Sequence, residues 1–329
     1  MAPRSKEDQM KSFLSTVVAA ALLSSAAFAF DIEQREVTFQ SNGATIAGTL
    51  YLPEERDRAT KLPGVLVTGA WTSIKEQMSG LYAREMAERG FVALAFDFGG
   101  WGQSGGDIRF KEDPTAKTAD IVAAAQFMTT VPEVDPSKIA GLGICASAGY
   151  MAEAASGNTT FRSVSLVAPW LHNGEIVEQV YGGAEGVAKL IAASKQAEAS
   201  EKAGQPQVIV AASTTDRTSL MYRIPYYTEP GRGLVPEYDN KFNLASWEPW
   251  LAYDSVAVAS RLDKPVLIVH SEAAAVPEGA HAFFSLLDGD ASELWLENVT
   301  QFDFYDRPDV VTRAADAAAE HFGRINRGS

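Results

Sequence analysis

Residues 139–155 constrain the fold of this chain more than any other stretch. Ile139-Ala140-Gly141-Leu142-Gly143-Ile144 is an unbroken apolar run of the kind that forms a buried strand, and residues 146–155 are a small-residue helix that begins at once. A strand that turns into a helix within one residue presents that residue, here Cys145, at the carboxyl edge of a sheet, with the first free helix N–H groups pointing at it. The turn is strained and needs small neighbours, which Gly143, Ala146, Ser147 and Ala148 provide. Cys145 is also the only cysteine in the chain.

Two other readings compete for the same residues. A lone cysteine is commonly an inert core side chain. Gly141-Leu142-Gly143-Ile144-Cys145-Ala146 also fits the dinucleotide fingerprint G-x-G-x-x-A, but that fingerprint expects an acid about 20 positions on, at the end of the next strand. Residues 161–168 contain none, so a dinucleotide-dependent oxidoreductase ranks third among the functions considered.

The chain has 329 residues, 46% hydrophobic and 21% charged, enough for one large α/β domain with an insertion. A net charge of −14 argues against nucleic-acid partners and anionic membrane surfaces. Residues 13–28 are apolar and small, follow Lys11, and close on Ala27-Phe28-Ala29. This is the pattern of a bacterial signal peptide occupying 1–29, cleaved after Ala29 so that Phe30 opens an exported, periplasmic or secreted chain. The run is too short, and too broken by serines, for an anchor of about 20 apolar residues. Met10-Lys11 would open that leader more cleanly than Met1, given Glu7 and Asp8. No membrane span is expected after processing.

Along the chain, two alternating segments flank Ser41-Asn42-Gly43 as a hairpin. Buried strands are then expected at 64–68, 91–96, 138–144, 161–167, 265–270 and 293–296, alternating with helices at 74–88, 116–130, 146–156, 277–287 and 310–322. That order gives a mostly parallel sheet covered on both faces. Residues 168–261 break the rhythm, are rich in aromatics, and are read as a cap inserted between core segments 30–167 and 262–329.

With the elbow and the strand order in place, the chain resembles the α/β-hydrolase superfamily, near its dienelactone-hydrolase-like and Xaa-Pro dipeptidyl-peptidase-like members. Asp97-Phe98-Gly99-Gly100-Trp101-Gly102-Gln103-Ser104-Gly105 is similar to the family's D-x-R-G-x-G-x-S-G turn, with Gly99 for the arginine. Thr68-Gly69-Ala70-Trp71 lies where the family carries its second oxyanion donor, and Pro265-Val266-Leu267-Ile268-Val269-His270 resembles the seventh core strand. The resemblance also marks departures. Cys145 and Ser147 replace Ser and Gly of G-x-S-x-G, Ala274 stands in the position of the acid with Glu272 nearest to it, and Gln301 fills the histidine slot of a T-H-x-D-x-Y-D-like stretch.

Glutamine cannot cycle a proton near neutral pH, so a serine nucleophile would be crippled here. A thiol ionises near 8.5, and a helix N-terminus is expected to lower that value. Of the four histidines, His172 follows the strand beside the elbow and is the candidate substitute base; His270, His281 and His321 read as packing or surface residues. Lys75-Glu76-Gln77, at the start of the first helix, reads as solvated or capping.

The leading expectation is a hydrolase of ester, thioester or lactone carbonyls that acts on a small-molecule acyl substrate. Cys145 forms the acyl-enzyme, and the N–H groups of Ala146 and of Ala70 or Trp71 hold the oxyanion. His172, or a water held by Gln301 and Glu272, assists, while Tyr226, Tyr227, Trp247 and Trp250 line the acyl pocket. No cofactor is expected, and no metal, because the histidines and the cysteine are scattered. The alternative is a degenerate hydrolase fold that binds an apolar ligand.

Overall fold

The computed structural model describes residues 32–57 and 59–327; the expected leader at 1–29 lies outside them. Strands β1 (Ile32–Ser41) and β2 (Ala44–Pro53) form the opening hairpin. Its turn residues Asn42 and Gly43 have φ of 47° and 80°, the doubly left-handed turn that Asn-Gly adopts most readily and whose twist suits the flanking strands. Six further strands build the sheet: β3 (Leu62–Thr68), β4 (Val92–Phe96), β5 (Val134–Ile144), β6 (Phe161–Val167), β7 (Val266–His270) and β8 (Ala291–Trp295).

The spatial order is β1-β2-β4-β3-β5-β6-β7-β8. All pairings from β4 to β8 are parallel, and only the hairpin and its junction with β4 are antiparallel. Val92-Ala93-Leu94-Ala95-Phe96 is buried at every position, the consequence of helices on both faces. Helices α1 (Met78–Glu88), α2 (Pro114–Met128) and α3 (Ala146–Ala155) fall between the early strands. Asp113 caps α2 by accepting from the N–H groups of Thr115 and Ala116, with Pro114 at the first helical position.

Between β6 and β7 the chain forms α4 (Gly174–Val180), α5 (Gly183–Lys202) and α6 (Trp247–Ala252). Two short ribbons accompany them, Val208–Val210 against Lys241–Asn243 and Ala212–Ser213 against Met221–Tyr222. Phe242, Trp247 and Trp250 of this segment are buried and join the main core, so the inserted region is packed onto the sheet domain. Helix α7 (Pro277–Ser285), the single turn α8 (Asp303–Asp306) and the long α9 (Pro308–Arg327) complete the chain. Helix α1 packs with α9 and α2 with α3, one pair to each face. The architecture is the doubly covered α/β-hydrolase fold.

The first helix starts four residues later than its sequence pattern suggests. The backbone N–H of Lys75 donates to Asp97 Oδ1 at 2.7 Å and that of Ile74 to Gln77 Oε1 at 3.1 Å, so residues 70–77 are held as a loop by side chains. Among the described residues, no helix is long and apolar enough to cross a membrane.

Candidate active site

Cys145 directly follows β5 and caps α3 with φ 58° and ψ −123°, a strained conformation for a residue with a side chain. Its N–H donates to Val167 O at 3.1 Å, and its C=O accepts from Ala148 at 3.1 Å and Trp170 at 3.0 Å, so neighbouring backbone fixes the turn. A Cβ on Gly143 would lie 2.8 Å from Ala148 Cα, which explains why the position two residues before Cys145 must be glycine. Ser147, standing where the family pattern has glycine, uses its hydroxyl as a clamp. It accepts from the N–H of Ile144 at 3.2 Å and donates to the Ile144 carbonyl at 3.1 Å.

The thiol points into a ring of donors. The backbone N–H groups of Ala146, at the start of α3, and of Trp71, on the loop after β3, stand beside it, as do the side chains of Tyr305 and Gln301, and all four favour its ionised form. Two backbone N–H groups from two loops flanking a nucleophile are the elements from which an oxyanion site is built. Ala70 is not part of that pair: its N–H faces Met78 Sδ at 3.5 Å. Of the two candidates for the second donor, Trp71 is the one beside the thiol.

Gln301 is locked at three points. Its Nε2 donates to Ala168 O at 2.9 Å and to Tyr305 Oη at 3.0 Å, and its Oε1 accepts from the N–H of Ala275 at 3.1 Å. Tyr305 follows Gln301 by four residues and is buried against Tyr226, with ring centroids 5.1 Å apart. Burial pushes the Cys145 thiol above its ordinary range, and the polar groups beside it, Tyr305 first, pull it back only in part. This reverses the expected lowering. The helix terminus does act, but the aromatic cover over the thiol leaves it only 6% exposed, and desolvation outweighs the donors.

Above the thiol lies a cavity of about 320 Å³. Trp71, Trp170, Trp247 and Trp250 wall it together with Tyr181, Tyr227 and Phe302, while Val180, Leu220 and Met221 reach in from the inserted segment. Trp250 Nε1 donates to Tyr181 Oη at 2.8 Å and Trp170 Nε1 to His172 Nδ1 at 3.1 Å, so these indoles offer the cavity mainly apolar surface. None of the lining residues is charged. The volume sits at the small end of ligand pockets.

Several residues singled out by sequence fall elsewhere. His172 is not beside the thiol: Nδ1 accepts from Trp170, Nε2 donates to Trp250 O at 3.1 Å, and burial lowers its pKa to about 4. Both nitrogens are spent on the tryptophan walls, so His172 shapes the cavity instead of moving protons. Glu272 is exposed, pairs with His281 Nε2 at 2.9 Å, and does not line the cavity. It cannot hold a water with Gln301. Tyr226 stands behind Tyr305 and also lies outside the lining, whereas Tyr227, Trp247 and Trp250 are in it.

Lys75 is buried, not solvated. Its Nζ lies 3.2 Å from Asp97 Oδ2 and 2.8 Å from Gln103 Oε1, tying the loop at 70–77 to the turn at 97–105. Gly141 and Gly143 serve the approach of α3: a Cβ on Gly141 would meet Met151 Sδ at 2.3 Å, so these glycines pack a helix and do not bind a pyrophosphate. Among the described residues no cluster of three or more His, Cys, Asp or Glu forms a metal site. Tyr305 escaped sequence reasoning, although its spacing of four from Gln301 signals a shared helical face.

This fold with this elbow defines an α/β-hydrolase. The chain belongs to the FrsA-like esterase family, whose model matches residues 2–178. It is 30% identical over 294 residues to the uncharacterized protein PA2218 of Pseudomonas aeruginosa, covering 85% of this chain and 78% of that one. The crystal structure of PA2218 superposes with a TM-score of 0.76 at 27% identity, over 88% and 94% of the two chains. A thiohydrolase of Eupenicillium brefeldianum is 25% identical over 244 residues, 70% of this chain and 74% of that one. The α/β-hydrolase GrgF from Penicillium sp. sh18 shares the fold, with a TM-score of 0.73 at 18% identity over 88% and 99%.

Proposed function

We propose that this hydrolase attacks the carbonyl of an ester, thioester or lactone with Cys145, forming an acyl-enzyme that water then opens. One observation carries the reading: the thiol lies on a strained turn between the N–H groups of Ala146 and Trp71, at the floor of an uncharged aromatic cavity. A carbonyl carbon brought to the sulfur would place its oxygen toward those two donors, where charge develops. The uncharged lining favours a neutral acyl group, and the modest volume favours a short chain or a single ring. The similarity to a thiohydrolase supports thioesters as the first substrates to try. Amides are disfavoured, because an amine leaving group needs a strong general acid.

The test is intact-mass analysis after exposure to activated thioesters and esters of short and aromatic acids. Acylation confined to Cys145, absent in Cys145→Ala, is the expected result. No adduct with any of them overturns the reading.

A second reading has its own observation. Burial raises the thiol's pKa, and His172 and Glu272 are engaged elsewhere. These facts favour a hydrolase fold that binds an apolar ligand without turnover. It predicts that Cys145→Ser keeps ligand affinity and that no acyl adduct forms in the native protein.

Export to the periplasm or medium is also part of the proposal. It rests on Lys11, the apolar run at 13–28 and Ala27-Phe28-Ala29. A mature N-terminus at Phe30 is expected; exported protein that retains residues before Met10 refutes it.

A further inference from the structure

Attack by a neutral thiol leaves two protons to place. The S–H proton must go somewhere as the C–S bond forms, and the leaving group must gain one as it departs. In a triad both tasks fall to histidine, and among the described residues no histidine lines this cavity. Two polar side chains line the cavity beside the thiol, those of Gln301 and Tyr305. Gln301 is spoken for at both ends, since Oε1 accepts from Ala275 and Nε2 donates to Ala168 O and Tyr305 Oη.

That last bond orients the tyrosine. Because Tyr305 Oη accepts a hydrogen bond from Gln301 Nε2, its second lone pair and its own O–H remain free for the Cys145 sulfur beside it and for a leaving group in the cavity. The ring is held edge-on by Tyr226 and by Phe302, at 5.1 and 5.5 Å between centroids. The hydroxyl therefore stands beside the nucleophile on the cavity wall, in a fixed direction.

We propose that Tyr305 is a catalytic residue of this site: its hydroxyl relays the proton between the Cys145 thiol and the leaving group, the role the absent histidine would fill. The proposal rests on the reading of Cys145 as nucleophile. In acylation the Sγ–C bond forms and the bond from carbonyl carbon to leaving-group S or O breaks. Meanwhile the S–H proton passes to Tyr305 Oη and the tyrosine's own proton passes to the departing heteroatom. The products are acyl-Cys145 and the free thiol or alcohol. In deacylation a water oxygen attacks the thioester carbonyl, its proton goes to Oη, and the tyrosine proton returns to Sγ, giving the carboxylic acid and the free thiol. The tyrosine is never required to exist as a phenolate, because it gains one proton as it gives up the other. Gln301 is a positioning residue, acting through the hydroxyl it orients.

The distinguishing readout is dependence on the leaving group. Acylation of Cys145 is followed by intact mass with one acyl group, phenylacetyl, carried on p-nitrothiophenol or on N-acetylcysteamine. The first departs without needing a proton and the second does not. Tyr305→Phe should slow acylation by the alkyl thioester about 10²-fold, the usual scale for a positioned proton-transfer group, and the aryl thioester far less. Equal losses with both substrates mean a structural tyrosine and overturn the relay while leaving the nucleophile intact. No acylation of the native protein by either substrate sinks the nucleophile itself. Should Tyr305→Phe fail to fold, the native protein still decides. A solvent deuterium isotope effect on acylation is expected to be larger with the alkyl thioester, where two protons move, than with the aryl one, where only the S–H proton does, and its absence from the alkyl reaction refutes the relay.

Discussion

The backbone N–H of Thr72 donates to Glu112 Oε2 at 3.3 Å, from a residue whose φ is +61°. A β-branched residue in that region is strained and persists only when its surroundings hold it. Here two contacts do so, the Glu112 carboxylate and a hydrogen bond of Thr72 Oγ1 with Tyr238 Oη at 3.0 Å. Thr72 directly follows Trp71, the second donor at the thiol, so Glu112 sets the direction of that donor. The same carboxylate accepts from Tyr150 Oη at 2.9 Å, on the helix that begins at Ala146, and is paired with Lys117 Nζ at 2.8 Å. One buried acid thus ties together the two loops that supply the N–H pair.

Removing that acid should cost both stability and acylation, in separable amounts. Glu112→Ala strands Lys117, which is held between the rings of Phe98 and Trp101 at 4.7 and 4.8 Å, and breaking such a buried pair costs about 3–5 kcal/mol. Replacing both partners, Glu112→Leu with Lys117→Met, should recover most of the urea midpoint. Acylation should stay depressed, because Thr72 still lacks its acceptor. Recovery of both together would show that Glu112 contributes to stability alone.

The thiol's pH response follows from its burial. Since desolvation raises its pKa, the thiolate fraction at neutral pH is lower than that of an exposed cysteine. Alkylation by iodoacetamide should show a midpoint above the ordinary thiol value of about 8.5. The folded state also keeps this proton to higher pH than the unfolded chain does. Its contribution to stability is therefore complete below the unfolded pKa and is lost as pH rises through the folded one. A midpoint at or below 8.5 would mean that the donors around the sulfur outweigh its burial.

His172 should behave as a structural residue. His172→Ala leaves the Trp170 N–H without its partner, a loss on the order of 1–3 kcal/mol, while the Trp250 carbonyl keeps the N–H of Tyr253 at 3.3 Å. Acylation should change little with any leaving group. The acid response tests the same point. A histidine whose pKa falls from 6.5 to about 4 on folding stays neutral while the unfolded chain takes up a proton. Stability is then full above 6.5 and declines as pH falls toward 4. The urea midpoint of the native protein should drop across that window, partly also through His270, which burial likewise lowers to about 4. In His172→Ala the drop should be shallower. A slope unchanged by the substitution would mean that His172 is charged in the folded protein.

The alternation of buried runs and helices made the sheet readable in advance, and Asn42-Gly43 marked the hairpin because few dipeptides accept two positive φ values. Cys145 and Ala146 were readable for a similar local reason, since a strand that turns abruptly into a small-residue helix has only one way to face. What was not readable depended on contacts distant in sequence. His172 was placed near the thiol by strand adjacency, but Trp170 and Trp250 take its two nitrogens, and Trp250 lies 78 residues on. Helix position alone implied a lowered thiol pKa; the direction changes because the inserted segment's aromatics close over the sulfur. Glu112 and Thr72 are 40 residues apart, with nothing local to join them.

The histidine slot offers the sharpest reconstruction. Gln301 lines the cavity beside the thiol, so Gln301→His puts an imidazole near the sulfur, in place of the amide that now bonds Ala168 O and Tyr305 Oη. An imidazole without an orienting acid has a poorly defined tautomer, and Glu272 is turned outward to His281. The single variant should therefore gain less than tenfold in acylation by an alkyl thioester, whereas adding Ala274→Asp, on the loop after β7, should bring the gain toward the 10²-fold scale of a positioned base. The pH dependence should then acquire an acid limb near 6.5, the ordinary histidine value. In that double variant the further change Tyr305→Phe should cost little, because the imidazole has taken over the proton. If Tyr305→Phe remains as damaging there as in the native background, the tyrosine holds the cavity in shape and carries no proton.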